Sequence, residues 1–427
     1  MTGWFARKLA PPAPPEKGTR ELALEGLRGI CACLVLYAHT TMPMLRLDPA
    51  YVPSRVFWWF NLGSVAVLFF FVLSGYVIGL TTRAPFSGRE ARAYAGRRIL
   101  RLVPVNTAAV LISWFLLPQV ALATVFGNLG FLQSFKAYPF GLSVEVMPDN
   151  LNLWSLNFEA LYYIGFVGIW WLAPRIGWVV CLLGILAAAA ALPGGHVLGS
   201  SYALGALYWL AGLSVAWLSP RQGRTGNWPS AMLAIVVMWP MAPLQNLLLR
   251  LHVPDSVSPL PLPSLHRLDM LPTLVWLLLA VTGRGAVWQR RLTLFCLTLA
   301  SAGVIRTLYA GDASEPGAIT CYALLLGLAW SIGRWSPGVS ALARLAPLGA
   351  ISYGIYAVGF PIEWGVYKSG WLPMGDALTY AVRALVLVGT TLGLAWVLER
   401  KVQPALRRAF TRFPGPPEPP APAAGRG

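Results

Sequence analysis

Charge is what this 427-residue chain has least of. Only 11% of its residues are charged and 56% are hydrophobic, against about 25% charged in an ordinary soluble domain. That shortage excludes a large soluble core and points to a polytopic membrane protein. Acidic residues are scarcer than basic ones, 16 against 33, and there are four histidines. Cysteine is sparse too. Cys31, Cys33, Cys181, Cys296 and Cys321 all fall in apolar runs, with no spacing that fits a disulfide framework or a metal site. They read as small buried hydrophobes, and no metal is expected. The first twenty residues are polar and proline-rich without an apolar h-region, so targeting is left to the first membrane helix rather than a cleavable signal.

What is present is apolar length. At about 20 residues per span, the sequence offers twelve candidate helices. They are Leu24–Met42, Phe60–Leu80, Val105–Val125, Leu156–Leu172, Ile176–Leu192, Ser201–Leu218, Ala231–Leu249, Leu268–Val281, Leu292–Ala310, Ala318–Ile332, Leu348–Gly365 and Ala377–Leu398. The 19 Trp and 15 Tyr suit many membrane–water interfaces.

A net charge of +17 raises the question of nucleic acid, and the positive-inside rule answers it. With the N-terminus cytoplasmic, the outer loops hold only Arg46, Arg55, Lys136, Arg250, Arg267 and Lys368. Nearly all other basic residues fall on cytoplasmic segments, so the charge is topological and no nucleic-acid partner is expected. The partner is the lipid bilayer. The expected fold is all-α, a polytopic transmembrane helical bundle of about 10–12 spans with both termini cytoplasmic. Residues 1–20 and 404–427 are expected to form disordered tails, the second Pro/Ala-rich, and 21–403 the membrane domain.

Polar groups inside such helices are costly and are functional candidates by default. Arg28 and His39 are eleven residues apart, which on a helix is about 16 Å and three turns plus roughly 20°. They therefore share one face, Arg28 deep and His39 in the outer half. A neutral imidazole suits removal of a proton from an attacking hydroxyl; a histidine packed by hydrogen bonding to a neighbouring helix is the alternative. Glu159 follows Trp154-Ser155-Leu156-Asn157-Phe158, and Ser155, Glu159, Tyr162 and Tyr163 fall on neighbouring positions of one face. Its expected depth matches that of His39, where a carboxylate would fix the imidazole tautomer; a snorkelling interfacial Glu is the alternative.

Arg97, Arg98 and Arg101 precede the third span and form a forked cationic surface suited to phosphates. Each alone also reads as a topology signal. Ser74 and Gly75 read first as helix-packing residues, while Ser352, Tyr353 and Tyr356 divide between packing and pocket lining. Ser74, Tyr76, Trp154, Ser155 and Tyr163 are likewise placed along the pocket. Arg306 and Arg383 either pair with a carboxylate or line the pore. The outer segment Gly127–Asn152 is either a cover for a sugar-bearing acceptor or an ordinary connector.

In order along the chain, these stretches resemble the acyltransferase 3 family of integral-membrane acyltransferases. Arg28 and His39 fit its Arg-x10-His element, and Phe70-Phe71-Val72-Leu73-Ser74-Gly75-Tyr76 its FFxLSGF-like element. Arg97-Arg98-Ile99-Leu100-Arg101-Leu102-Val103-Pro104 fits RRxxRLxP, and Trp154-Ser155-Leu156-Asn157-Phe158-Glu159 with Tyr163 fits WSLxxE…FY. Ser352-Tyr353-Gly354-Ile355-Tyr356 matches part of SYxxY, and Leu398-Glu399-Arg400-Lys401 is similar to the closing IEK/R stretch. Two positions depart: Gly359 stands where many members have a second histidine, and Asn106 where a tyrosine often follows RRxxRLxP.

The resemblance implies a multi-pass protein of a bacterial plasma (inner) membrane with about ten core helices. It implies no bound cofactor and acyl-CoA, foremost acetyl-CoA, as co-substrate. The acyl group goes to a hydroxyl of a cell-surface polysaccharide, glycolipid or related acceptor. The CoA phosphates are then expected near Arg28, Arg97, Arg98 and Arg101, with the pantetheine arm reaching toward His39 and Glu159. His39 acts either as general base or as covalent acyl carrier. The alternative class is a transporter or flippase for a lipid-linked glycan, which the absence of visible internal repeats disfavours.

Overall fold

The computed structural model describes residues 22–41, 47–48, 50–51, 61–134, 144–172, 197–220, 226–241, 268–309, 322–327, 340–370 and 372–411, with 179–180, 183–184 and 329 between them. The described chain is almost wholly helical. Its elements are α1 (Leu22–Thr40), α2 (Gly63–Thr81), α3 (Gly88–Leu116), α4 (Leu122–Leu129), α5 (Trp154–Trp171), α6 (Val197–Leu218), α7 (Trp228–Met241), α8 (Met270–Thr282) and α9 (Ala286–Tyr309). After these come α10 (Ser340–Arg344), α11 (Ala346–Gly349), α12 (Ser352–Lys368), α13 (Ala377–Val397), a π turn (Leu398–Val402) and α14 (Gln403–Thr411).

Among the described residues, five helices are long and apolar enough to cross a membrane: α1, α2, α3, α9 and the run from α13 into α14. The expected all-α membrane bundle is what the chain forms. Most of Ile176–Leu192 and of Ala318–Ile332, together with residues 1–20 and 412–427, lies outside the described residues.

The third span differs from expectation. Instead of Val105–Val125, one helix runs from Gly88 to Leu116 and takes the arginine run into its first half, and α4 is separate. Its start is set by Ser87, whose side chain accepts from the Glu90 amide. Pro104 lies inside it and deprives the Leu100 carbonyl of its i+4 donor. The helix survives because Gln403 donates to the carbonyls of Leu100 and Arg101, both at 3.0 Å. That contact also continues the chain as a helix to Thr411, where a disordered tail is expected from residue 404.

α1 is the central helix, packed on α2, α10, α11 and α12. α2 lies along α6 at very close range: a Cβ on Gly75 would overlap the backbone of Trp209, and one on Gly212 the backbone of Val72. Small residues are what allow membrane helices to approach this closely, so Gly75 is a packing residue as expected. Cys31, Cys33 and Cys296 are free thiols, two of them buried; Cys181 and Cys321 lie outside the described residues.

Between α4 and α5 the chain folds back on itself. Gln133–Ser134 pairs in parallel with Val144–Glu145. Asn106 donates to the Asn128 carbonyl at 2.9 Å, and Asn128 in turn holds the Thr124 and Glu145 carbonyls and the Met147 amide. Thus Asn106, at the position where the family pattern has a tyrosine, ties this loop to α3. The loop ends in a 3-10 turn (Leu151–Leu153) that leads straight into α5. Asp149 is buried there, and burial pushes its carboxyl up to about 6 from 3.8. Its pKa is raised in the folded state, so the native form holds an extra proton between about pH 4 and 6 and loses stability relative to the unfolded chain as pH rises through that window. Asp149→Asn is expected to gain thermal stability over the wild type as pH goes from 4 to 7; a difference independent of pH would contradict this.

Candidate functional site

A cleft of about 640 Å³ opens between α1, α2, α3, α5 and α12. Arg28, Arg98 and Arg101 bring positive charge to it, and Glu159 is the carboxylate on its wall. Ser74, Ser155, Tyr163, Ser352, Tyr353 and Tyr356 line it as well. These are the helix-spaced residues that the sequence groups together, and the fold brings them to one place from five helices.

Glu159 is held on several sides. It accepts from Ser74 Oγ at 3.3 Å and from the Tyr163 hydroxyl, while Trp209 donates to Ser74 Oγ at 3.3 Å. Arg28 and Arg101 both lie in its electrostatic field. Arg28 also pairs with Glu25 at 3.6 Å. Arg98 is sandwiched by two rings, with its guanidinium 5.3 Å from the Tyr94 centroid and 5.1 Å from that of Tyr163. One carboxylate thus stands among three arginines, leaving this end of the cleft electropositive.

The expected His39–Glu159 pair is not formed. His39 lies in the last turn of α1, at the far end from Arg28, with its ring edge-on to Phe360 at 4.6 Å. Its hydrogen-bonding partner is Asn152. The reason is the 3-10 turn before α5. Asn152 in that turn is level with His39, and Glu159, seven residues further along the chain, sits about 10 Å deeper. Asn152 Nδ2 is committed to the Tyr356 carbonyl at 3.0 Å, so its oxygen is what the imidazole meets. The His39 Nδ1 is buried and has no partner among the described residues. Arg28 and His39 do share the face of α1 toward α12, as their spacing requires.

Pro361 explains how the turn is fixed. It removes the donor that would serve the Ala357 carbonyl, and Asn150 Nδ2 takes that carbonyl at 2.9 Å. Tyr356 hydroxyl reaches the Asn152 carbonyl at 2.9 Å and Ser155 Oγ at 2.6 Å. A line of polar side chains therefore runs from the arginines upward: Glu159, Ser155 with Tyr356, Asn152, then His39. Sequence reasoning passed over Asn150 and Asn152. Their signal is Pro361, since a proline inside a helix announces a carbonyl in need of an outside donor.

Three other expected site residues lie off the cleft. Arg97 is exposed, because it is one residue and 100° round the helix from Arg98. Tyr76 is two residues from Ser74 and turns away; its hydroxyl accepts from Arg284 Nε at 3.0 Å. Trp154 packs edge-on against Phe71 and Phe158 in an aromatic cluster. Arg306 is exposed near the end of α9. Arg383, expected to meet a carboxylate or a pore, does neither: it is fully buried and donates to five backbone carbonyls. No group of three or more metal-ligating side chains occurs among the described residues.

An acyltransferase named MdmB from Streptomyces mycarofaciens is 27% identical over 194 residues, 42% of this chain and 47% of that protein. The match therefore spans about half the length of that curated relative. No solved structure matches the chain. The acyltransferase 3 family, described as an acyltransferase domain, matches residues 21–400. A match over nearly the whole chain, on a multi-pass helical bundle, establishes that this protein belongs to the acyltransferase 3 family of membrane acyltransferases.

Proposed function

We propose that the protein is an O-acyltransferase of the bacterial inner membrane. It takes an acyl group, foremost acetyl, from cytoplasmic acyl-CoA and passes it to a hydroxyl of a cell-surface polysaccharide, glycolipid or related acceptor. The observation that carries this reading is the polar line joining an arginine-lined cleft to a histidine whose Nδ1 has no partner among the described residues. Arg28, Arg98 and Arg101 offer forked donors to the phosphates of the donor. Glu159 holds two of these arginines in position rather than backing the imidazole.

His39, donating to Asn152, keeps the lone pair of Nδ1 for the acceptor hydroxyl. The hydroxyl oxygen bonds to the acyl carbon as its proton passes to the imidazole. The carbon–sulfur bond breaks, and the departing thiolate takes the proton. The phosphate-bearing end of the donor then stays at the arginine-rich side while the acyl group reaches the His39 end.

The test uses inverted membrane vesicles supplied with labelled acetyl-CoA. Label entering the envelope fraction is compared for wild type and Arg98→Ala at matched expression. The expected result is transfer in wild type with at least a tenfold higher KM for the donor in the variant. Transfer indifferent to Arg98 would contradict the assignment of the donor to this cleft.

A further inference from the structure

Arg28 and Arg101 border two hollows at once. Beyond the cleft lies a second hollow of about 750 Å³, whose far wall is Glu25, Glu399, Arg400, Gln403 and Arg407. The two arginines form the partition between them. Anything extended enough to occupy both hollows must pass these guanidinium groups.

The construction of the far wall depends on the π turn. Such turns insert one residue into a helix and occur mostly where function needs a side chain re-aimed. Here the turn covers Leu398–Val402. Inside it, Glu399 accepts the backbone amide of Gly354, in the first turn of α12 where helix amides lack partners. After it, Gln403 occupies the carbonyls of Leu100 and Arg101, the first of which Pro104 strands. The carboxylate and the amide are thereby assigned to structure, and α14 is pinned against the helix that carries Arg101. Arg400 and Arg407, seven residues and two turns apart, both border the space left.

The charge count and side-chain types indicate the ligand. Four arginines face two glutamates, of which Glu25 pairs with Arg28 and Glu399 serves the α12 amide. Arginines outnumber glutamates on this wall, and guanidinium forks suit the oxygens of a phosphate. Among the described residues no aromatic side chain borders the hollow, so its described lining suits a phosphate rather than the stacking of a base.

We propose that this hollow is the subsite for the 3′-phosphate of CoA, with Arg400 and Arg407 as its ligands and Arg28 and Arg101 guiding the donor into the cleft. The proposal rests on the reading of acyl-CoA as donor. A phospholipid headgroup carries the same phosphate chemistry and is the competing source.

The experiment measures calorimetric binding of CoA and of dephospho-CoA to the full-length protein. It is done in nanodiscs of phosphatidylcholine alone and with phosphatidylglycerol. Wild type is expected to bind CoA about tenfold more tightly than dephospho-CoA. The Arg400→Gln/Arg407→Gln variant is expected to bind both at the level wild type shows for dephospho-CoA. Arg98→Ala, inside the cleft, weakens both alike and keeps the ratio, which separates a subsite from general loss of donor binding.

Equal binding of the two nucleotides by wild type overturns the subsite and leaves the donor reading standing. So does a preference that survives in the double variant. A ratio unmoved by the double variant, with phosphatidylglycerol-dependent thermal stabilisation lost, would assign the two arginines to lipid. Failure of wild type to bind either nucleotide removes the donor reading and this proposal together.

Discussion

His39→Ala is expected to lower acyl transfer roughly 10²–10⁴-fold, the usual contribution of a positioned general base, while leaving CoA binding unchanged. Glu159→Gln is expected to do the reverse: weaken donor binding severalfold with a smaller loss of turnover. The contrast follows from the depth difference between the two groups. His39 meets Asn152 and Phe360 at one end of the bundle. Glu159 meets Ser74, Tyr163, Arg28 and Arg101 at the other. Losing the carboxylate removes the counter-charge on the cleft wall, leaving Arg28 with Glu25, and the arginines rearrange. Losing the imidazole leaves the arginines untouched. The check is KM and turnover in vesicles beside direct CoA binding for both variants. Similar profiles for the two variants would restore the direct carboxylate–imidazole pair and overturn the separation of roles.

Helical spacing made most of the cleft legible in advance. Arg28, Ser74, Arg98, Arg101, Ser155, Glu159, Tyr163, Ser352, Tyr353 and Tyr356 fall where three- and four-residue intervals set them, because a membrane helix offers the chain few other shapes. What spacing does not carry is relative height. The 3-10 turn at Leu151–Leu153 placed Asn152 rather than Glu159 opposite His39, and nothing in a hydropathy pattern encodes the level at which two helices meet. Nor does local pattern disclose partners hundreds of positions away. Gln403 serving a carbonyl freed by Pro104, and Asn150 serving one freed by Pro361, are such pairs. Each proline announces the vacancy, and only the fold shows who fills it. The run 97–101 reads as a cationic surface, but which arginine faces inward depends on a neighbour, and Arg97 faces out.

Arg383→Met is expected to destabilise the folded protein by about 3 kcal/mol or more, since buried carbonyls left without donors cost about 1–3 kcal/mol each. Every guanidinium donor has a backbone carbonyl. Nε reaches Pro373 at 3.0 Å, one terminal nitrogen Val366 at 2.8 Å and Leu47 at 3.3 Å, the other Leu372 at 2.6 Å and Ser369 at 3.4 Å. A guanidinium has five N–H donors, and all five are in use. Val366 and Ser369 lie at the C-terminal end of α12, where Ser369 also donates to the Val366 carbonyl through its amide and hydroxyl; a cation is favoured there. Leu47 belongs to the segment after α1, which Asp48 also fastens by accepting from the Gly375 amide at 3.0 Å. One side chain therefore closes α12, orders the turn into α13 and anchors the chain leaving α1 beside His39. Arg383→Lys keeps the charge but offers three donors on a compact head, and is expected to recover less than half of the loss. Chemical unfolding of the detergent-solubilised protein reads both changes. Were lysine to restore full stability, charge at the helix end would be the whole effect, and the five-carbonyl fork would count for nothing.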